Sequence, residues 1–459
     1  MRPKSKDRLG FVLTLLVLGF ALCAFSVSAY AASTIDASGG LDKSFTAGYA
    51  QKTFAESFHK DSTEPLDLES TYNTWQVHKG FNFSTVYDSN LNSVQNRKAQ
   101  EEDFILSYTP SIGLSRKGDV GYVKLLYDMN YTQYLDNEDF DRFNHSITTG
   151  VGRDFNRLHV DLTNNFKPDT AYRSGERTEL RSAEADRVVT YSDAGSLSVN
   201  YDLSPKTKIG FQENVSVLYF PEGDNTAAIH DLSQATYTSI PSLTYKLTPK
   251  IDVFAKYQYA RSDFFEASGD LFASDSVQYG GGVNASLWAK TKLSVDIGYL
   301  DRSFDNEDLA AGDSSVVYRA AVSQKLTNKI SVTLWTSRDL SQNFDQTVSR
   351  DINEEVDFYG ANLSIKLMPH LSIDGGASAG YSSRDGLVTL ADLENPGTGK
   401  KLDTAQLEHQ YYETDLSLNW NPRPFLAVAL GYEFFNKNSS FRQLEYDDHK
   451  VISSVRLKF

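Results

Sequence analysis

The sequence predicts an all-β fold, a single transmembrane antiparallel up-and-down β-barrel of about 18 strands, within a range of 16–18. Three observations predict it. From Gly80 onward the chain runs in segments of about ten residues in which apolar and polar side chains alternate. The connections alternate between short turns and long, mostly acidic loops. The last strand runs to the final residue, with Val451, Val455, Leu457 and Phe459 on one face and Ile452, Ser454, Arg456 and Lys458 on the other.

At the N-terminus, Arg2, Lys4, Lys6 and Arg8 form a basic region ahead of an apolar or small stretch from Phe11 to Phe25. Ala29-Tyr30-Ala31 then gives an A-x-A cleavage site, so residues 1–31 read as a signal peptide and the mature chain is expected to start at Ala32. The stretch is shorter than the roughly 20 residues of a spanning helix. Leu22 stands where a lipoprotein signal needs a small residue, which argues against lipidation of Cys23. Cys23 is the only cysteine, so the expected mature chain has no thiol, disulfide or cysteine metal site. That suits passage through an oxidising periplasm.

With Arg2, Lys4, Lys6, Arg8 and Asp7 removed, 41 basic residues face 59 acidic ones, a net charge of −18. Nucleic acid is therefore excluded as a partner, because a binding surface for it must be basic. A negative mean hydropathy argues against a helical membrane protein. It does not argue against a barrel, where only alternate residues meet lipid. The 26 Tyr and 27 Phe suit strands and interfacial girdles.

Residues 32–79 hold Phe45, Tyr49, Phe54, Tyr72 and Trp75 but no clean alternation. They read as a periplasmic extension or an inward plug, with the barrel expected over 80–459. Strands are expected to begin near residues 80, 102, 120, 142, 157, 187, 207, 235, 251, 276, 292, 315, 330, 355, 371, 410, 425 and 450. Lys292 to Leu300 is the clearest, with Leu293, Val295, Ile297 and Tyr299 opposing Ser294, Asp296 and Gly298. Val123, Leu125, Tyr127, Met129 and Tyr131 likewise oppose Lys124, Asp128, Asn130 and Thr132, with Leu126 breaking the polar face.

The short turns share one chemistry: Leu203-Ser204-Pro205-Lys206, Leu247-Thr248-Pro249-Lys250, Trp288-Ala289-Lys290-Thr291, Leu326-Thr327-Asn328-Lys329, Leu367-Met368-Pro369-His370 and Trp420-Asn421-Pro422-Arg423. Each is an apolar strand end followed by turn formers, usually with a cation. Their spacings of 44, 41, 38, 41 and 53 residues mark a repeating two-strand hairpin. The long connections include Pro168 to Asp186, Ser341 to Glu354, Arg384 to His409 and Asn436 to His449. Short periplasmic turns with long external loops are the asymmetry of outer-membrane barrels.

Two resemblances follow. The closing strand with its terminal Phe459, preceded by Val455 and Leu457, resembles the signal read by the barrel-assembly machinery of Gram-negative outer membranes. Tyr87-Asp88-Ser89-Asn90-Leu91, Pro110-Ser111-Ile112-Gly113-Leu114, Pro241-Ser242-Leu243-Thr244-Tyr245 and the Leu-Ser/Thr-Pro-Lys turns, taken in order, look like the putative β-barrel porin type 2 family over about residues 80 to 459. Some members resemble barrels that serve exopolysaccharide secretion. The resemblance thus implies an outer-membrane channel and polysaccharide export, with export components as partners.

A charged side chain at the lipid midplane costs about 2–4 kcal/mol for Arg or Lys, and less for Asp or Glu. Lys124, Asp128, Asp252, Lys256, Asp296, Lys366, Asp374, Glu413, Asp415 and Arg456 are therefore expected to line the lumen. Both signs are present, so strong selection for one ion sign is not expected. The bland reading is that they solvate the wall and pair across strands. The functional one is a constriction or a saccharide track, to which Tyr122, Tyr134, Phe254 and Trp335 could add rings on the lumen face. Asp136-Asn137-Glu138-Asp139 and Asp305-Asn306-Glu307-Asp308 lack the spacing of a calcium loop and read as acidic surface beside lipopolysaccharide.

An enzyme is not expected. His145 and Ser146 are adjacent and face opposite sides of a strand. His159 and Asp161 share a face without an identified nucleophile, and no H-E-x-x-H, G-x-S-x-G or phosphate loop occurs. No cofactor and no metal are expected. The expected partners are outer-membrane lipid, lipopolysaccharide and the assembly machinery. The open alternatives are polysaccharide export, a general diffusion porin, and a structural or adhesive barrel. For a diffusion porin, Arg384 to His409 is the loop expected to fold inward.

Overall fold

A computed structural model describes residues 74–90, 102–138, 141–172, 187–219, 233–264, 273–288, 290–305, 312–345, 350–388, 405–439 and 445–459. The cleavage site at Ala29 and Ala31, residues 32–73, most of the second acidic loop and residues 389–404 of the longest loop lie outside them.

Eighteen strands form in chain order. The first six are β1 (Trp75–Asp88), β2 (Asp103–Gly118), β3 (Gly121–Tyr134), β4 (Arg142–Phe155), β5 (Leu158–Tyr172) and β6 (Arg187–Ser204). The next six are β7 (Thr207–Tyr219), β8 (Gln234–Thr248), β9 (Ile251–Phe264), β10 (Ser274–Trp288), β11 (Thr291–Phe304) and β12 (Asp313–Lys325). The last six are β13 (Ile330–Asp345), β14 (Arg350–Met368), β15 (Leu371–Val388), β16 (Ala405–Arg423), β17 (Leu426–Ser439) and β18 (Tyr446–Lys458). Each pairs antiparallel with its sequence neighbours, and β1 pairs with β18, so the sheet closes on itself. Closure removes the free edges that an open sheet would expose in lipid.

Closure runs to the last residue. Phe81 aligns with Leu457 and Phe83 with Val455, while the amide of Phe459 donates to the Lys79 carbonyl at 2.8 Å. The alternation separates the two faces. Tyr299, Ile297, Leu416, Leu430 and Val455 are exposed on the outer wall, whereas Leu300, Glu413, Glu433, Ile452 and Ser454 are buried on the inner one.

The structure moves several boundaries. β1 starts at Trp75, five residues before the expected start, and β14 and β16 start five residues early, at Arg350 and Ala405. β13 and β14 absorb most of Ser341 to Glu354, for which the sequence predicts a loop. The cause is physical: about 9–11 tilted residues cross the hydrocarbon, and polar residues beyond it can continue a ladder. The turn expected over Trp420 to Arg423 lies later, between Arg423 and Leu426, because an irregularity between Trp420 and Arg423 lets β16 run on through Pro422. At the β4–β5 turn Asn156 takes φ of 65°, the left-handed conformation such hairpins need and Asn tolerates.

Candidate functional site: the inner wall

The cross-strand register carries one face around the barrel. Leu126 pairs with Thr148, Thr148 with Asn165, Asn165 with Ala194, Ala194 with Ser216 and Ser216 with Thr236. That inner face is mostly Ser, Thr, Asn and Gly, with charged residues set among them. Leu126, the apolar interruption, is 1% exposed and packs within it.

Lys124 lies over Gly150, its cross-strand neighbour on β4. Lys256 reaches across β10 to an ion pair with Asp296, and Gly280 and Gly282 beside them leave the space for it. Asp374 accepts from Ser372 Oγ at 3.0 Å and from Asn419 Nδ2 at 2.9 Å. Asp128 and Arg456 are partly buried on the same face, and Asp252 stands opposite Lys246. Lys366 is exposed near the short-turn end of β14.

The acids gather on one sector. Asp415 on β16 stands directly opposite Glu433 on β17, and Glu413 lies one inward position further out. Glu413 and Glu433 are each 7% exposed. Asp415 Oδ1 and Glu433 Oε1 are buried without a hydrogen-bond partner. Like charges directly opposite on one face destabilise a sheet. Lys450 on β18 stands opposite Glu433, and its Nζ lies 3.1 Å from both Asp88 Oδ2 and Asp448 Oδ2. Glu433 is not among the residues expected to line the lumen, although the sequence puts it with Ala427, Ala429 and Gly431 on the face opposite Leu430 and Tyr432.

The lumen aromatics lie against glycine. Tyr122 is opposite Gly152, Phe254 opposite Gly282, and Trp335 opposite Gly360. A Cβ at any of these glycines would overlap the ring. The rings therefore lie flat along the wall, and Tyr122 also donates its hydroxyl to Asp161. Tyr134 is buried instead at the outer end of β3. A further aromatic group, unforeseen in the sequence, runs along the inner wall. Phe358 sits over Gly380 and packs with Tyr411, Phe435 and Val356, with Trp335 and Tyr446 against them.

Outside the lumen, His145 bonds through Nδ1 with the Tyr127 hydroxyl at 2.6 Å on the lipid-facing wall, away from Ser146. Asp103 accepts from the backbone amides of Leu135, Asp136 and Asn137, tying down the start of the first acidic loop. Among the described residues no group of three or more His, Cys, Asp or Glu side chains is placed to hold a metal ion.

The family model described as Putative beta-barrel porin 2 matches residues 70–459. No curated protein matches the chain. Solved structures similar to it include OpdO of Pseudomonas aeruginosa, at 12% identity and a TM-score of 0.45, covering 84% of this chain and 98% of that one. OpdK of the same organism, solved with vanillate, aligns at 9% identity and a TM-score of 0.48 over 84% of this chain and 99% of that one. The siderophore receptor PirA of that organism aligns at 10% identity and a TM-score of 0.45, over 85% and 82%.

Proposed function

The chain belongs to the Putative beta-barrel porin 2 family, and on that premise we propose that it is a channel passing polar solutes across the outer membrane. The observation that carries the reading is the inner wall: a closed ring of eighteen strands whose concave face is mostly hydroxyl, amide and carboxyl, interrupted by apolar clusters such as that at Phe358, while the convex face is aliphatic and aromatic. The acid sector of Asp374, Glu413, Asp415 and Glu433 supports a preference for cations over anions, beyond what the mixed signs in the sequence indicated.

Polysaccharide export is the finer reading. The family resemblance supports it, and so do the rings of Tyr122, Phe254 and Trp335, which lie flat along the lumen face in an orientation suited to a sugar ring. The rival is a general diffusion porin. Residues 1–31 are the proposed signal peptide, and of residues 32–79 those up to where β1 begins at Trp75 are the proposed periplasmic extension or plug. Phe459 with Val455 and Leu457 is the proposed assembly signal, and lipopolysaccharide the proposed neighbour of the outer rim.

The test is block of ion current by soluble oligosaccharides of graded length, on the wild type and on Trp335→Ala. Length-dependent block that weakens in the variant supports a saccharide path. Current insensitive to every oligosaccharide supports the diffusion porin.

A further inference from the structure

β12 and β13 pair only from Lys325–Ser331 up to Tyr318–Arg338. Beyond that point β12 continues to pair with β11 as far as Asp313, and β13 continues to pair with β14 as far as Asp345. The two strands therefore part company in the outer half of the wall. The register alone does not say which way the β13–β14 hairpin leaves. Its side chains do.

Leu334 is exposed on the outer wall, and alternation puts Thr336, Arg338 and Leu340 on that same face of β13. Leu340 is nonetheless 2% exposed, packed against Leu300 and Val317. Those two lie on the inner face of β11 and β12, because their neighbours Tyr299 and Val316 are the exposed ones. The same crossing recurs in polar contacts. Ser315, buried beside Val317 on the inner face, donates its hydroxyl to Glu355 at 2.5 Å. Glu355 shares a face with Tyr359, which is exposed on the outer wall. Arg302, on the inner face of β11, donates from Nη2 to the Leu340 carbonyl at 3.1 Å. Arg319 pairs with Asp339 at 3.2 Å beside them. What was the outer face of the hairpin thus rests on the inner face of its neighbours, as two sheets stack.

We propose that the strand segments 339–345 of β13 and 350–356 of β14 form the constriction of the channel, folded into the barrel mouth and held there by Leu340, Glu355, Arg302 and Arg319. The hinge is the Tyr318–Arg338 pair. There the Arg338 guanidinium binds Asp357 at 2.6 and 2.8 Å, and the Tyr318 hydroxyl donates to Asp357 at 3.0 Å. These bonds satisfy the polar groups exposed where the wall divides. The element differs from the loop expected to fold inward, Arg384 to His409, and its sequence alone predicts an ordinary external connection. The proposal rests on the channel reading above.

The cysteine-free mature chain expected from the sequence allows a direct test. Val317→Cys with Leu340→Cys, and separately Leu300→Cys with Leu340→Cys, are oxidised in the folded barrel and checked for a disulfide by gel mobility before and after reduction. In parallel, residues 341–354 are replaced by a two-residue turn, and single-channel conductance is compared with the wild type. Heat-modifiable gel migration confirms that each variant is folded. The expected result is a disulfide in at least one pair and a conductance about twofold or more higher in the shortened barrel. Folded variants with no disulfide in either pair overturn the inward placement. A disulfide together with unchanged conductance in the shortened barrel overturns the constriction. If the disulfide forms but no form of the protein conducts, the channel reading falls and the constriction with it, while the inward placement stands.

Discussion

Glu413 and Glu433 are each 7% exposed, on adjacent strands, with Asp415 between them in register. Three carboxylates in such proximity weaken the sheet they stand on, so their contribution is sought in the lumen potential. Replacing Asp374 and Asp415, the less buried acids of that sector, by Asn together is expected to lower the cation-to-anion permeability ratio by roughly twofold or more. The reversal potential in a salt gradient measures it, and an unchanged potential would remove the acid sector from the account. The glycines argue at the same scale. Gly360→Val drives a side chain into the space of the Trp335 indole, and overpacking of this kind costs about 1–3 kcal/mol. Urea unfolding of the refolded barrel should show that loss, and adding Trp335→Ala should recover much of it. Equal destabilisation in the single and double variants would mean that the ring does not lie on the glycine. The face of a charged position follows from a period of two along its own strand, which the sequence contains. The aromatic–glycine pairs do not follow from it, since they depend on register between strands, which alternation along one strand does not contain.

Hairpins were legible at most of the turns with explicit chemistry, the displaced turn after Trp420 being the exception. Ser204-Pro205-Lys206-Thr207 and Thr248-Pro249-Lys250-Ile251 form turns where the sequence put them, with Ser204 Oγ accepting from the amides of Lys206 and Thr207. The outer ends were harder to read, because nothing in a polar, Asp-rich segment marks where a ladder stops once the strand has left the hydrocarbon. Arg350 to Glu354 is such a segment, and it pairs as strand in β14. The departure of β13 from β12 was invisible for the same reason: Leu340 looks like one more lipid-facing residue until its partners are known. At this scale the orientation is testable. Glu138→Cys lies on a long connection and Lys250→Cys on a short one, both exposed. A membrane-impermeant maleimide should label the first on intact cells and leave the second unlabelled until the outer membrane is permeabilised. Labelling of Lys250→Cys alone would invert the barrel.

The whole molecule depends on one closing seam, where β1 meets β18 and Phe459 exchanges backbone hydrogen bonds with Lys79 at 2.8 and 3.2 Å. Deleting Phe459 removes both the last rung of that seam and the proposed recognition residue. The heat-modifiable, membrane-inserted fraction in cells is expected to fall at least about tenfold, because an open barrel leaves backbone groups unsatisfied in lipid at several kcal/mol each. If purified Phe459-deleted protein refolds in detergent as well as the wild type, the loss lies in assembly rather than in stability. Closure and patterning together make the central claim, a polar lumen open to solutes inside an apolar wall. The measurement that tests it most directly is current through the refolded full-length protein in a planar bilayer under a salt gradient. Discrete, steady conductance steps with a cation-leaning reversal potential are the predicted result, whereas a folded, inserted barrel that carries no current at any voltage would contradict the account.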